Sequence, residues 1–573
     1  MRDPTVLQRS VSFLCFVLAA ANLAAQPLRV SVYVTAGGVE TYLGSEEGRR
    51  KAVEMLRPLR VSRLFLEGRR GDECVAPDRL RAIADWLRRE GFEVSGGIAT
   101  VPGRNFGVRQ NGGLNWLNFQ SEKTQRDIAA FFRENAPLFD ELIVDDFYCT
   151  ADTSPESQQA RAERSWADYR QDLMVSLVEP MMLTPARSAH PGVRVIVKYP
   201  QWYDRFHLFG YNPRRLSPYF DAVWVGTEVR NPETQRMGYV QPTQGYINFR
   251  WIRAVAGEKV RGAWFDHIEC TAQNFLDQAY QSVLAGAREI TLFHLGDLIE
   301  GHPGDALLGS RMTELQELAT KILGREPRGV AFYKPAGSDA EENMYLMDYV
   351  TMLGIPVVPV ADYPARSRVA MLGVQAAADP RLAERVRKHV SEGASVVLTP
   401  ALARRVRALA EMAGVRTTRE PQPARVAVVH FGGGSVPLPA SIEVEGGLQV
   451  AGATVLMSAT GPGGRVPLLT RQGRVLVWNI RTFSEEDFQQ TGERLLPPKP
   501  LGWVRLPERV ANQLRRHVLA PLELRVEGPA RVALYDFDGL RCVYNFRDEA
   551  ASLRVNDKTW KAGANRLYCT EDL

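Results

Sequence analysis

Between Leu28 and Leu323, short β-rich runs alternate with amphipathic stretches, and the alternation occurs eight times. The runs are Val30–Val34, Ser62–Leu66, Glu93–Ile98, the stretch from Phe139 to Val144, Val193–Tyr199, Phe220–Val225, Arg261–Phe265 and Glu289–Phe293. Helical periodicity is predicted over Glu46–Leu59, Ala76–Glu90, Lys123–Ala136, Ala160–Thr184, Thr271–Gly286 and Ser310–Leu323. Parallel strands need a crossover of this length, and eight strand–helix units over some 300 residues predict an α/β chain opening with a (β/α)8 TIM barrel. An open doubly wound sheet would carry a glycine-rich phosphate loop after its first strand. Ala36-Gly37-Gly38-Val39 is a weak echo of one.

The fourth run ends in Asp145-Asp146, followed by Phe147 and Tyr148. A buried strand favours Leu142-Ile143-Val144, but an ionised carboxylate is costly to desolvate unless paired. Such a pair belongs at an open edge, and in a barrel the working edge is the C-terminal one. The other runs end similarly, in Glu67, Lys198 and Tyr199 with Trp202 beyond, Glu228, Asp266 and His267 with Glu269 beyond, and His294 with Asp297. A single Asp after a strand is more often a helix cap or turn residue. Several acids at one rim point instead to acid/base chemistry. Glycoside hydrolysis requires one protonated and one ionised carboxyl, and neighbouring like charges separate their pKa values.

We therefore expect catalytic carboxyls among Asp146, Glu228, Asp266 and Glu269. Glu67, Asp145, Tyr148, Lys198, Tyr199, Trp202, Trp264, His267, His294 and Asp297 are expected around the substrate, with Tyr203 as a further stacking ring. Adjacent strand residues face opposite ways, so one of Asp145 and Asp146 should cap while Asp146, nearer the rim, faces the pocket. A non-catalytic carbohydrate-binding protein on a decayed barrel is the alternative. A metal site from Asp146, Asp266, His267 and His294 ranks last, for want of a compact His-x-His or His-Glu-x-x-His run. No metal and no cofactor are expected.

The fourth run, Leu142-Ile-Val-Asp-Asp-Phe-Tyr-Cys149, resembles that of retaining glycoside hydrolases of the α-galactosidase type. The resemblance implies Asp146 as nucleophile and Glu228 as acid/base, although that family generally uses Asp at the second position. A second large clan of barrel hydrolases carries Asn-Glu where this chain has Asp145-Asp146. On its pattern Asp146 would pair with Asp266 or Glu269. The domain order is similar to that of β-galactosidases with a glutamine-amidotransferase-like middle domain and a small β domain.

That layout corresponds to a barrel over 26–324, a flavodoxin/amidotransferase-like α/β domain over 325–520 and a β-sandwich over 521–573. Within the middle domain, 419–463 reads as an irregular β insertion. Residues 326–520 contain no cysteine, so amidotransferase chemistry lacks its nucleophile. The middle domain is expected to wall the site or make homo-oligomer contacts.

Residues 1–25 read as an export signal, with Arg2 and Arg9 before an apolar run too short to span a bilayer. We expect an exported protein, periplasmic or extracellular, with no membrane span after cleavage and a carbohydrate as its partner. The net charge of +5 is spread along the chain without a basic block, which argues against nucleic acid. In an oxidising compartment Cys542 and Cys569 are the pair placed to bond.

Overall fold

The computed structural model describes residues 28–232, 241–483 and 501–571. The export segment expected over 1–25 lies outside them. The eight runs form strands β1 (Arg29–Val34), β2 (Val61–Arg70), β3 (Glu93–Ala99), β4 (Glu141–Val144), β5 (Arg194–Tyr199), β6 (Ala222–Gly226), β7 (Val260–Asp266) and β8 (Glu289–Phe293). Each pairs in parallel with its successor, and β1 also pairs with β8, so the sheet closes.

The barrel interior is filled in layers. Tyr33, Phe65, Ile143, Ile196, Trp224 and Trp264 form its apolar centre. At the N-terminal end the buried Arg63 is paired with Glu141 and Glu289 and donates to Ser95 Oγ at 2.7 Å. Ionic plugging below and aromatic filling at mid-height leave the C-terminal end as the place where polar side chains meet solvent.

Three connections differ from expectation. The single helix read over Ala160–Thr184 is broken into Pro155–Arg161 and Trp166–Val178, then passes through a wide turn at Glu179–Leu183 into Thr184–Ala189. Pro180 and Pro185 lack the N–H that a continuous ladder needs. The strand-end loop expected at Thr35–Gly38 is the start of a helix, Ala36–Leu43, where Thr35 Oγ1 accepts from Gly38 N (3.1 Å). Between β6 and β7, Gln244–Ala256 is a helix that periodicity does not reveal. It is buried on most of its circumference, so it carries no polar stripe.

The middle domain contains β9 (Val330–Tyr333), β10 (Val357–Val360), β11 (Val369–Leu372), β12 (Ser395–Leu398), β13 (Pro423–Phe431), β14 (Gly434–Glu445), β15 (Thr454–Gly461), β16 (Gly464–Gln472) and β17 (Val475–Trp478). Its parallel strands run in the order β10-β9-β11-β12-β17, a flavodoxin-like arrangement. The segment expected to be an irregular β insertion falls within two hairpins, β13–β14 and β15–β16, each with a shift in register, which extend the same sheet antiparallel. Gly432 and Gly433 (φ 56° and 79°) make the first turn in the left-handed region that a two-residue hairpin requires.

The C-terminal residues form two small antiparallel sheets. Cys542 and Cys569 face each other across one ladder and are disulfide-bonded. Tyr535 OH donates to Gln281 Oε1 (2.6 Å) and Tyr544 OH to Asp277 Oδ1 (2.5 Å), docking this domain on the barrel.

Between the barrel and the middle domain lies a buried ion pair, Lys334 Nζ to Asp204 at 3.0 Å, with both side chains almost fully enclosed. Asp204 also accepts from Tyr345 N (2.6 Å), and the neighbouring Tyr203 OH donates to Asp348 (2.9 Å). The main-chain carbonyl of Lys334 accepts from Trp251 Nε1 (2.9 Å). Tyr203 is thus an interface residue and does not belong to a sugar platform. Lys334→Met leaves the Asp204 charge buried and unpaired, and should cost about 3–5 kcal/mol in chemical denaturation. The double variant Lys334→Met/Asp204→Asn should recover most of that loss, whereas equal losses in the single and double variants would refute the role given to the pair.

Candidate active site

β4 ends at Val144, and the chain turns at once, with Asp146 N donating to Asp145 Oδ1 (2.8 Å) and Phe147 N to the Asp145 carbonyl (2.7 Å). The turn cancels the alternation expected of strand residues. Both acids reach the cavity, rather than one capping and one facing it.

Lys198 rises between them from β5. Its Nζ lies 2.6 Å from Asp146 Oδ2, 2.6 Å from Glu228 Oε1 and 3.7 Å from Asp145 Oδ1, above the ring of Trp264 (4.6 Å). Glu228 follows β6 and folds back over it. A Cβ at Gly226 would lie 2.2 Å from Glu228 Oε2, so only glycine permits this approach. The Gln201 amide, with its nitrogen towards Glu228, donates to Oε2 (3.1 Å) and accepts from Arg230 Nη1 (2.5 Å).

Two guanidinium groups complete the charge network. Arg230 donates to Asp266 Oδ2 (2.5 Å) and to the Glu228 carbonyl (3.1 Å), and Asp266 also accepts from Ile268 N (3.1 Å). Arg70, at the end of β2, bonds Glu67 (2.9 and 3.0 Å) and Asp145 (2.7 Å). Glu67 lies beneath the cavity, fully buried, accepting further from Tyr33 OH (2.6 Å) and Ala36 N (2.8 Å).

The cavity above these groups measures about 300 Å³. Charged groups line it together with Trp116, Phe147, Trp202, Trp264, Ile268 and Phe293; Arg70 lies over the rings of Phe147 and Phe293, and Lys198 over Trp264. Trp116, from the long loop after β3, stacks on Trp202 with the rings 18° apart. Among the described residues, every lining residue belongs to the barrel. The middle domain braces the segment carrying Trp202, and its described residues do not line the cavity.

Burial pushes Asp146 up to about 7, reinforced by the charges of Asp145 and Glu228 and opposed by Lys198. Glu228 and Asp266 are also raised by burial, against Lys198 and Arg230 respectively. Burial works to raise Asp145 as well, but Lys198 and Arg70 outweigh it and hold it below the usual carboxylate value. Desolvation works against the Lys198 ammonium, yet its three carboxylates keep it above the ordinary lysine value. Asp145 is therefore a fixed anion, and Asp146 is poised to exchange a proton near neutrality.

Asp145, Asp146, Lys198, Trp202, Glu228, Trp264 and Asp266 thus meet at one cavity. The other expected residues do not line it. Glu269 occupies the turn after β7 with φ 54°, its carbonyl accepting from Asn231 N (3.1 Å). Tyr148 is core, donating to the Met174 carbonyl (2.5 Å), and Tyr199 bonds Ser217 (3.0 Å) within an aromatic cluster. His267 stacks on Phe275 and contacts Asp305 (2.7 Å) and Asp297 (3.5 Å). Although its burial works against the charge, those two acids raise it to about 9. His294 caps the helix Leu295–Glu300 through Gly296 N (2.9 Å). The two histidines therefore stand apart from Asp146 and Asp266, and among the described residues no group of three or more metal-ligating side chains forms.

Sequence reasoning missed Arg70, Trp116, Phe147, Gln201, Arg230, Ile268 and Phe293 as lining residues. For the arginines there was a signal: several acids at one rim need more cations than Lys198 supplies, and Arg70 and Arg230 each lie within three residues of one of them.

Residues 18–311 match a family model described as "Probable glycosyl hydrolase, catalytic domain", and residues 326–431 match the second domain of uncharacterized protein SSO3021. That protein, from Saccharolobus solfataricus, is 26% identical over 302 residues, 48% of this chain and 49% of its own length. The chain thus spans about half the length of the curated relative it matches. Among solved structures, the cold-adapted β-galactosidase from Rahnella sp. R3 is 12% identical with a TM-score of 0.64, covering 95% of this chain and 98% of that one. The α-L-fucosidase isoenzyme 2 from Paenibacillus thiaminolyticus is also 12% identical, with a TM-score of 0.64 and coverages of 91% and 92%. At such identities the likeness is one of fold. The family model, in contrast, spans more than half of the chain and includes all eight barrel strands with their carboxylates, and the chain belongs to this glycosyl hydrolase family.

Proposed function

We propose that the protein is an exported glycosidase that cleaves an oligo- or polysaccharide with retention, using Asp146 and Glu228 as its carboxyl pair. The observation that carries this reading is the shared ammonium. Asp146 and Glu228 each place an oxygen 2.6 Å from Lys198 Nζ, so those oxygens are separated by no more than twice that distance. At these two oxygens the limit favours the roughly 5–5.5 Å spacing of retaining enzymes over the roughly 6.5–9.5 Å that accommodates an inverting water.

Position and charge favour one division of the roles. Glu228 is the deeper group, 4% exposed and oriented by Lys198 and Gln201, and suits attack on the anomeric carbon. Asp146 is 17% exposed, nearer the mouth through which a leaving group departs, and holds its proton to about pH 7. It suits protonation of the glycosidic oxygen. This reverses the order implied by the α-galactosidase resemblance. When Glu228 forms its glycosyl ester it loses the charge that helps to raise Asp146. Asp146 then becomes the stronger acid, and its carboxylate can take a proton from water in the second step.

The sugar class is supported by the family and by the presence of aromatic rings beside hydrogen-bonding groups in the cavity lining. Export is supported by the Cys542–Cys569 disulfide, a bond of oxidising compartments.

On an aryl glycoside identified by panel screening, Asp146→Asn and Glu228→Gln should each lower kcat by about 10²–10⁴-fold. With azide, Glu228→Ala should yield the glycosyl azide of inverted anomeric configuration and Asp146→Ala the azide of retained configuration. Full activity in both conservative variants would refute the assignment. The pH dependence has a definite sign. The acid form of Asp146 is required, so kcat/KM should fall as pH rises through about 7. Infrared difference spectra should show a protonated carboxyl that titrates in the same range and is lost in Asp146→Asn.

A further inference from the structure

The cavity's cations are already occupied. Arg70 is held by Glu67 and Asp145, Lys198 by Asp146 and Glu228, and Arg230 by Asp266. Arg230 also donates to the Glu228 carbonyl and the Gln201 oxygen, while its Nε is buried without a hydrogen-bond partner. Against these three cations stand five carboxylates, Glu67, Asp145, Asp146, Glu228 and Asp266. One proton on the Asp146–Glu228 pair still leaves an excess of negative charge. The apolar side chains of the lining bring no further positive charge to an anion. A sugar carboxylate or sulfate entering this space would lose its hydration, find each cation paired, and lie against surplus carboxylates.

We infer that the cavity takes glycosides without anionic substituents and rejects uronic and sulfated sugars, and that Asp266 sets this selectivity by keeping Arg230 occupied. The inference rests on the reading of the cavity as the sugar site. Asp266 stands at the end of β7 on the cavity surface, with one oxygen on Arg230 and the other on Ile268 N. Its replacement by Asn keeps the shape and removes the counter-charge, leaving a buried guanidinium to be neutralised by whatever enters. Glu67 plays the matching part for Arg70 on the other side, from below the cavity floor.

Titration calorimetry on the full chain at low salt, with glucose and galactose against glucuronate and galacturonate, tests this directly. The wild type should bind the neutral member of each pair at least about tenfold more tightly than the acid. In Asp266→Asn the preference should shrink to less than about threefold or reverse, with the gain confined to the acids and suppressed by added salt. Glu67→Gln provides an independent arm in which Arg70 keeps only Asp145 as its counter-charge, and a smaller shift in the same direction is expected. Comparable wild-type affinity for both classes, or measurable binding of neither, would overturn the inference. An intact wild-type preference that neither variant alters would remove Asp266 and Glu67 from their selecting role. Absence of hydrolysis with the binding preference intact would count against the catalytic proposal and leave the selectivity standing.

Discussion

Everything at the open end of the barrel depends on one buried ammonium. Lys198 is 2% exposed and touches two carboxylates at 2.6 Å, with a third at 3.7 Å. Without it, Asp145, Asp146 and Glu228 would repel one another in a space that excludes most water, and burial would favour the neutral forms of Asp146 and Glu228. With it, the acids separate into different states: Asp145 below its usual value and Asp146 near neutrality. The lysine can hold this place because β5 presents its stem inside the barrel over Trp264, an aromatic face that tolerates a cation.

The remainder of the architecture keeps that arrangement from relaxing. The Arg63 cluster fills the lower end of the barrel, so the polar groups above cannot sink into an empty interior. The middle domain grips the segment after β5 through Asp204 and Tyr203, two and one residues beyond the rim tryptophan Trp202. The small C-terminal domain docks on the barrel helix that carries Gln281 and Asp277. These contacts lie away from the cavity, and their effect on it is to fix the positions of strand ends.

Much of the barrel was legible because its strands are short apolar runs bounded by polar helical stretches, and the eight runs match the eight strands closely. Legibility failed where burial erases pattern. Helix Gln244–Ala256 is enclosed on nearly every side and has no polar face to reveal a period. The hairpins β13–β14 and β15–β16 failed for the opposite reason, since their exposed strands carry proline and glycine that resemble loop composition. At the site, acids at strand ends were found readily, but side-chain direction was not. Tyr148, Tyr199, His267 and His294 have chemistry suited to a sugar site, yet their backbones aim them into the core or into helix caps.

Local chemistry in the chain by itself determined the alternation that closes a barrel, the collection of carboxylates at one rim and the lysine among them. Each of these is a property of residue type and spacing. Only the tertiary structure decided which acids share that lysine, that Glu269 stays outside, and that Arg70 and Arg230 are spent on Glu67, Asp145 and Asp266. Those outcomes depend on the direction of each side chain where its strand ends, which the turn at Asp145–Asp146 and the close approach over Gly226 set.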